Sequence, residues 1–238
     1  MRYMGSKRRL WKFISPIILS GRTKSQYYVE PFCGGCNSLC QVDGKRIAAD
    51  INPYLIEMLK SLVIGEEQIY PITKDIYDDV RNCYRGKNND YSISEIGWVG
   101  WMASYNGRFF DGGYSGNNVK SKYGGSRNYI DESISDLLKQ IDYLRGVEFH
   151  CCSYDQLTIP KNSIIYCDPP YKNTKRYDTG DFDYDKFYDW CIMQSKSGNK
   201  VFISEYCMPE IFREVWSMEV RCNINIDKNK RVEKLFTI

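Results

Sequence analysis

Five short apolar runs recur along the 238-residue chain, and each ends near small or acidic residues. They lack the clean alternation of a strand with one wet face, so we expect strands buried on both faces of a parallel sheet. The runs are residues 26–32, 45–50, 146–152, 163–168 and 199–204. Two further runs, residues 218–226 and 231–238, are separated by the turn-like residues DKNK and predict an antiparallel hairpin.

Helix-compatible segments lie between or beside these runs, at residues 7–19, 53–64, 131–144, 184–197 and 209–216. Pro53 and Pro209 stand where the first turn of a helix tolerates proline. Strands and helices that alternate in this way predict an α/β fold with a Rossmann-like sheet. We expect that sheet to be mostly parallel, with an antiparallel edge pair at its carboxyl-terminal end.

Residues 65–130 interrupt the alternation of strands and helices, because they hold no confident parallel strand and are rich in Gly, Asn, Tyr and Ser. A glycine-rich stretch of this length inside a compact sheet protein is usually functional or mobile. We interpret it as an insertion between the second and third strands of the sheet. Residues 81–130 hold seven Lys or Arg against three Asp or Glu, and a second basic cluster lies within residues 2–12. Both clusters suit a polyanion, although a solvated face has the same composition.

Several classes of chemistry are disfavoured by single residue types. His150 is the sole histidine, which excludes histidine-rich metal sites and serine–histidine triads as the primary chemistry. The FCGGC motif at residues 32–36 has the spacing of a redox pair, but no second pair of that form completes a zinc site. No metal is therefore expected. Other cysteines, such as Cys151, Cys152 and Cys167, fall inside apolar runs and are interpreted as reduced core residues.

The amino-terminal stretch begins with basic residues and continues into apolar ones, as a signal peptide does. Ser15 and Pro16 interrupt the apolar part after a few residues, and no other run has the length of a membrane span. We expect a soluble, cytoplasmic protein that is monomeric and has no membrane partner.

Two strand ends predict a nucleotide-like ligand, because ligands of open α/β sheets bind at the carboxyl ends of the strands. Gly34 and Gly35 follow the first strand, where they would let a ligand approach the backbone, and a helix is expected next. The loop departs from G-x-G-x-x-G, which disfavours a nicotinamide or flavin cofactor. Asp50 ends the second strand, where an acid accepts hydrogen bonds from ribose hydroxyls or simply precedes a helix. Together they predict an adenosine-containing ligand without a pyrophosphate.

The most specific motif is D-P-P-Y, residues 168–171, which ends the fourth strand. The prolines make the chain leave the sheet extended and stiff, so that no helix consumes the carbonyls of Asp168 and Pro169. A carboxylate and a carbonyl offer two acceptors to a group with two N–H donors, while Tyr171 offers a flat face. An amino group on an aromatic ring fits all three features.

The exocyclic amine of adenine would benefit from such a corner. Its lone pair is delocalised into the ring, which makes it a poor nucleophile. Two acceptors that hold its hydrogens out of the ring plane would localise the lone pair and aim it, and preorganised polar groups supply catalysis of this kind. No histidine base is required.

These motifs resemble those of the Dam-like, alpha-group DNA adenine N6-methyltransferases, which use S-adenosylmethionine. In chain order the similar segments are residues 3–10, 29–35, 49–52, 151–157, 168–171, 202–206 and 232–238. The resemblance implies a class I methyltransferase sheet and methyl transfer to the exocyclic amine of a flipped adenine in duplex DNA. The chain departs from the family at Cys33 and Cys36, where small or hydrophobic residues are more usual.

The resemblance also implies site residues. The catalytic pocket corresponds to Asp168, Pro169, Pro170 and Tyr171. The cofactor-contacting positions correspond to Tyr3, Lys7, Pro31, Phe32, Gly34, Asp50, Tyr154 and Asp168. By family position, residues 1–64 and 131–238 form the catalytic domain, and residues 65–130 form the inserted target-recognition region.

Asn106-Gly107 is a strong hairpin signal within the insertion, flanked by aromatic residues that would fill the gap left by a flipped base. Arg108 on this hairpin would pair with guanine in the major groove, or face solvent. The predicted contacts with double-stranded DNA are Arg8, Arg9, Tyr105, Asn106, Arg108, Phe109, Lys172, Lys175 and Arg176.

Two other functions remain open from the sequence. An RNA adenine N6-methyltransferase would use much the same pocket. A catalytically inactive DNA-binding relative would keep the fold, although the intact D-P-P-Y motif and Asp50 argue against it. An N4-cytosine or protein-glutamine methyltransferase would more typically carry Ser or Asn at the position of Asp168.

Overall fold

The computed structural model describes residues 1–116, 119–120, 124–171, 182–220 and 231–238. Nine strands lie within these ranges: β1 (Tyr28–Glu30), β2 (Arg46–Asp50), β3 (Val119–Lys120), β4 (Ser126–Arg127), β5 (Val147–Cys151), β6 (Ile164–Cys167), β7 (Lys200–Glu205), β8 (Arg213–Val220) and β9 (Arg231–Thr237). Seven of them form one sheet in the order β5-β2-β1-β6-β7-β9-β8, and β3 pairs with β4 in a separate hairpin.

The main sheet confirms the predicted architecture. Strands β5, β2, β1, β6 and β7 run parallel, and β9 enters antiparallel between β7 and β8. All five apolar runs form these parallel strands; β1, β2, β6 and β7 are almost fully buried, whereas the edge strand β5 is largely exposed. The order of the strands reverses around β1, which places the carboxyl ends of β1 and β6 side by side.

One predicted helix is wrong. Residues 209–216 do not form a helix, because Pro209 begins a tight turn, in which the amide of Phe212 donates to its carbonyl at 2.9 Å. The chain then enters β8, whose residues pair with β9 along its length, with an irregularity between Glu214 and Trp216. Pairing with a neighbouring strand therefore overrides the helix signal of the proline.

Six α-helices lie in the described residues: α1 (Trp11–Ile18), α2 (Pro53–Ile64), α3 (Lys74–Tyr84), α4 (Ile93–Ala103), α5 (Tyr129–Ile141) and α6 (Tyr184–Lys196). Four of them confirm predicted helices. Helix α2 begins with an Asn52 side chain that accepts from the amide of Leu55 and ends at Gly65, which has a left-handed backbone.

Helices α3 and α4 fill the first part of the insertion and were not predicted. Both carry recognisable caps, Thr73 before α3 and a Ser92–Glu95 capping box before α4. Apolar side chains from both helices join the cluster that covers one face of the sheet. Helices α2 and α4 cross closely at Gly97, where an added Cβ would lie 2.1 Å from the carbonyl oxygen of Tyr54.

The second face of the sheet is covered by α6 and the loops around Tyr154. No helix in the described ranges is long and apolar enough to cross a bilayer. The division into a catalytic domain and a target-recognition region stays a prediction about roles, since residues 65–130 share their core with the sheet.

Candidate active site

The carboxyl edge of the parallel strands carries four acidic side chains. Glu30 ends β1, Asp50 ends β2, Asp168 follows β6 and Glu205 ends β7. Because these strands are neighbours and point the same way, their acids meet along one edge of the sheet. The predicted ligand edge therefore carries a row of carboxyl groups.

Lys7 supplies the basic partner of Asp168. Its Nζ lies 2.9 Å from Oδ1 and 3.1 Å from Oδ2 of Asp168, 161 residues away, and 4.5 Å from the centre of the Tyr171 ring. The Lys7 side chain is 10% exposed and that of Asp168 is 21% exposed, so this is a largely desolvated ion pair. The structure thus joins three predicted site residues in one contact.

The charges of this pair are set by two opposing effects. Burial raises the pKa of Asp168, and the Lys7 ammonium works against that rise. For Lys7, burial lowers the pKa, but attraction to Asp168 and then Glu233 outweighs burial and holds the pKa above its usual value. The lysine therefore stays charged at neutral pH, and its charge favours the ionised form of Asp168.

The D-P-P-Y corner leaves the sheet extended, as predicted. Pro169 is buried, and no donor among the described residues bonds to its carbonyl. The carbonyl of Pro170, in contrast, accepts from the hydroxyl of Tyr184 at 2.9 Å. One carbonyl next to Asp168 thus lacks a donor within the described residues, while the next one anchors the corner to α6.

Asp50 is held in place by backbone amides. Its Oδ2 accepts from the amide of Gly34 at 3.1 Å, and its Oδ1 accepts from the amide of Asn52 at 3.0 Å. Burial raises the pKa of Asp50, against the effect of these amides. The loop after β1 and the end of β2 are therefore locked together, also through a bond from the amide of Cys33 to the carbonyl of Ala49 at 2.9 Å.

The predicted helix after this loop is wrong. The chain makes only a single 3-10 turn, Leu39–Gln41, so the loop after β1 does not lead into the N-terminus of an α-helix. The amide of Gly34 donates to Asp50.

The two glycines of the loop make room for Tyr3. A Cβ added at Gly34 would lie 2.7 Å from Cε1 of Tyr3, and one at Gly35 would lie 2.9 Å from its Cβ. The other side of the Tyr3 ring packs against Trp101 of α4, with ring centres 5.1 Å apart. Tyr3 therefore joins the loop to the insertion, a role that the residue pattern did not reveal.

The remaining predicted cofactor contacts lie near this loop. Pro31 is buried directly after β1. Phe32 is half-buried and packs against Tyr154, with ring centres 5.4 Å apart. Pro31, Phe32, Gly34 and Tyr154 thus follow or face the ends of β1 and β5, where the sequence placed them.

The predicted hairpin at Asn106-Gly107 is wrong. Residues 105–107 form a 3-10 turn, and a single bridge between Ser104 and Tyr114 replaces a ladder. Asn106 and Gly107 do take positive φ angles, 55° and 65°, as this dipeptide favours. The amide of Tyr105 still pairs with the carbonyl of Gly113 at 2.9 Å, but Phe109 and Phe110 pack inward, so no ladder forms beside the Asn106-Gly107 turn. The antiparallel pair of the described insertion is β3–β4.

The predicted DNA contacts divide by exposure. Tyr105, Asn106 and Arg108 are exposed, as are Arg8 and Arg9, and Arg108 forms an ion pair with Asp111. Phe109 is partly buried and packs against Trp101 and Tyr84, with ring centres 4.8 Å and 5.1 Å away. Lys172, Lys175 and Arg176 lie outside the described residues.

Glu30 lies near the site but is not among the site residues predicted from the sequence. Glu30 is 2% exposed and accepts from the hydroxyl of Tyr28 at 2.8 Å. Burial raises the pKa of Glu30 to about 8, so its carboxyl is mostly neutral at pH 7. Its place at a strand end before Pro31, like that of Asp50 and Asp168, was the available signal.

The cysteines in the described part of the chain are free thiols. Cys33 and Cys36 are buried free thiols, and the pKa of Cys33 is raised by its contact with Cys36 and by burial. No group of three or more potential metal ligands occurs among the described residues. Cys167 is buried as expected, but Cys151 is exposed, because its strand β5 forms the edge of the sheet.

Comparison with known proteins places these features in context. A family model described as "D12 class N6 adenine-specific DNA methyltransferase" matches residues 3–97 and 104–232. The Type II methyltransferase M.FokI from Planomicrobium okeanokoites is 25% identical over 216 residues, which cover 82% of this chain and 32% of that protein. The chain therefore spans about a third of the length of this curated relative.

Among solved structures, the crystal structure of SMU.472 complexed with SAH aligns with 100% of this chain and 54% of its own chain. Its identity is 10% and the TM-score is 0.42, so the fold assignment rests on the strand order given above.

Proposed function

The chain belongs to the D12 class of N6 adenine-specific DNA methyltransferases, and from this we propose that it transfers a methyl group from S-adenosylmethionine to the exocyclic amine of adenine in duplex DNA. The observation that carries the proposal is the stiff corner at residues 168–171. There, Asp168 in its ion pair with Lys7 and a Pro169 carbonyl to which no described residue donates lie beside the Tyr171 ring. We place this activity in the cytoplasm of a bacterial cell.

The residues at the ends of β1 and β2 suit the cofactor. Asp50 is fixed by the amides of Gly34 and Asn52, which presents an aligned carboxylate to ribose hydroxyls. Phe32 and Tyr154 offer apolar surface beside the loop, and Lys7 offers a cation. When bound, S-adenosylmethionine supplies a methyl group on a positively charged sulfur and leaves as S-adenosylhomocysteine.

The corner holds and aims the amine. Asp168 and the Pro169 carbonyl accept its two hydrogens, which draws the lone pair away from the ring and towards the methyl group. The nitrogen gains a methyl group and loses one proton, which Asp168 is placed to receive because burial raises its pKa. The Lys7 ammonium balances the negative charge of Asp168 before the amine arrives.

Duplex DNA would meet the exposed basic residues of the amino-terminal segment and the insertion. A base within a duplex cannot reach Asp168, so it must be flipped out at a cost of a few kcal/mol. Arg8, Arg9 and Arg108 are exposed and are proposed to contact the backbone or bases.

The proposal is tested by incubating the protein with tritiated S-adenosylmethionine and either duplex DNA or structured RNA. We expect label on DNA, recovered as N6-methyladenine at one recurring sequence. Label confined to RNA would show that RNA, and not DNA, is the substrate. Cofactor binding without label on any nucleic acid would point to an inactive DNA-binding relative.

Arg108→Ala is expected to lower DNA affinity several-fold and to reduce its dependence on salt, because one exposed cation is lost. Arg145→Ala is a matched control: both arginines are exposed and pair with an aspartate three residues away, Asp111 or Asp142. Arg145 lies just before β5, at the opposite edge of the sheet. Equal affinities of the two variants across a salt series would remove Arg108 from the DNA interface.

A further inference from the structure

Glu233 on β9 makes a bond that no motif indicated. Its Oε2 accepts from the hydroxyl of Tyr171 at 2.9 Å, across a separation of 62 residues. A hydrogen bond to a carboxylate is stronger and more directional than one between neutral groups. The antiparallel edge pair thus reaches the D-P-P-Y corner through a single side chain.

The same edge pair also braces Tyr171 through Tyr206. The Tyr206 and Tyr171 rings meet at 89° with centres 4.7 Å apart. Arg231, which shares a face of β9 with Glu233, donates from Nη1 to the Tyr206 hydroxyl at 3.3 Å and lies over that ring. The Tyr171 hydroxyl is therefore held by Glu233 and also lies within bonding reach of Asp168, and the Tyr171 ring packs against Tyr206.

These contacts restrict the rotation of the Tyr171 ring, which the backbone of the corner does not fix. Pro169 and Pro170 stiffen the backbone, but Tyr171 follows them and its ring can still turn about its own side-chain bonds. Stacking with an aromatic partner depends on the orientation of the ring, so an unanchored Tyr171 would stack in many poses. Lys7 contacts the ring, but the same ammonium group also forms the ion pair with Asp168.

We propose that Glu233 is a positioning residue, which fixes the Tyr171 ring in the orientation that stacks on the target base. The inference rests on the proposed function for the identity of that base. Glu233 acts through Tyr171 and does not touch the reacting atoms, so its removal slows the reaction by loosening the ring.

The test is a double-mutant cycle with Glu233→Ala and Tyr171→Phe, measured as kcat/KM for DNA. Phenylalanine keeps the ring but lacks the hydroxyl that Glu233 holds. Glu233→Ala alone is expected to cost about tenfold, the loss of one hydrogen bond to a charged group. In the Tyr171→Phe background the same substitution is expected to cost less than twofold. Glu233→Gln retains an acceptor and is expected to restore most of the activity.

Additive losses in the cycle would overturn the inference. So would a Glu233→Gln variant as slow as Glu233→Ala, since that result assigns the effect to the charge of Glu233 on Lys7. Glu214→Ala serves as control, because Glu214 is a carboxylate of the same edge pair that bonds Lys234 at 2.8 Å. Melting temperatures of all variants exclude a general loss of folding.

A second readout does not depend on methyl transfer. In protein labelled with ¹³C at tyrosine Cζ, the signal that Tyr171→Phe removes identifies Tyr171. Glu233→Ala is expected to shift this signal, and Glu214→Ala is not. If Glu233→Ala shifts the Tyr171 signal but the protein methylates no nucleic acid, the bond between Glu233 and Tyr171 stands and the proposed function is refuted. If the protein is active and the signal does not shift, the positioning role alone is refuted.

Discussion

Replacing Asp168 with asparagine is expected to lower the rate of methyl transfer about a thousandfold, the scale of losing one preorganised polar group at a reacting centre. The amide offers one acceptor and two competing donors in place of the carboxylate. The change also leaves the Lys7 ammonium, whose side chain is 10% exposed, without its anion. Burial then dominates, and the pKa of Lys7 is expected to fall.

Single-turnover measurement with labelled S-adenosylmethionine and a DNA duplex checks this expectation, with circular dichroism to confirm the fold. Asp189→Asn is the control, since Asp189 is an exposed acid of α6 that makes no contact with the corner among the described residues. A rate within a few-fold of the parent protein would remove Asp168 from the mechanism.

Asp50→Asn is expected to weaken S-adenosylmethionine binding about 10- to 100-fold, since hydrogen bonds to charged groups contribute about 1.5 to 3 kcal/mol. Asparagine keeps one of the two oxygens that anchor the Gly34 and Asn52 amides, so the loop should survive the change. Calorimetric titration with S-adenosylmethionine measures the loss. Asp43→Asn, at an 81% exposed carboxylate before β2, is the control. Unchanged affinity would make Asp50 a structural acid.

Hydrophobic pattern predicted the sheet well. Runs buried on both faces, such as residues 163–168, have few alternatives to a parallel strand, and β6 forms there. Helix α2 was equally clear, because Asn52, Pro53 and Gly65 mark both of its ends. Residues 209–216 failed, since a strand at the edge of a sheet is decided by its partner, here β9.

The structure of the insertion was harder to predict, because turn and cap motifs in the sequence do not indicate which of the neighbouring side chains are buried. Asn106-Gly107 turns the chain as expected, but whether the flanks pair or pack depends on Trp101 and Tyr84, which cover Phe109. Helices α3 and α4 were overlooked beside the glycine-rich stretch that follows them, although their caps are visible in the sequence.

The site was predictable in its members and not in its contacts. Resemblance assigned Lys7 and Asp168 to the cofactor separately, whereas the structure joins them in one ion pair over 161 residues. The hydroxyl bond between Tyr171 and Glu233 could not be expected from either residue type, because its geometry depends on how β9 enters the sheet.

The close crossing of α2 and α4 at Gly97 constrains how the proposed target-recognition segment, residues 65–130, could be exchanged. The backbone of Tyr54 in α2 leaves no space for even a methyl group there, so a foreign segment grafted after α2 would have to offer a glycine at the same point. Without it, α4 would have to move away from α2. Under the proposed role of residues 65–130, point changes in the turns beyond α4 would alter target preference and preserve this crossing, whereas exchange of the whole segment would preserve it only if the glycine were retained.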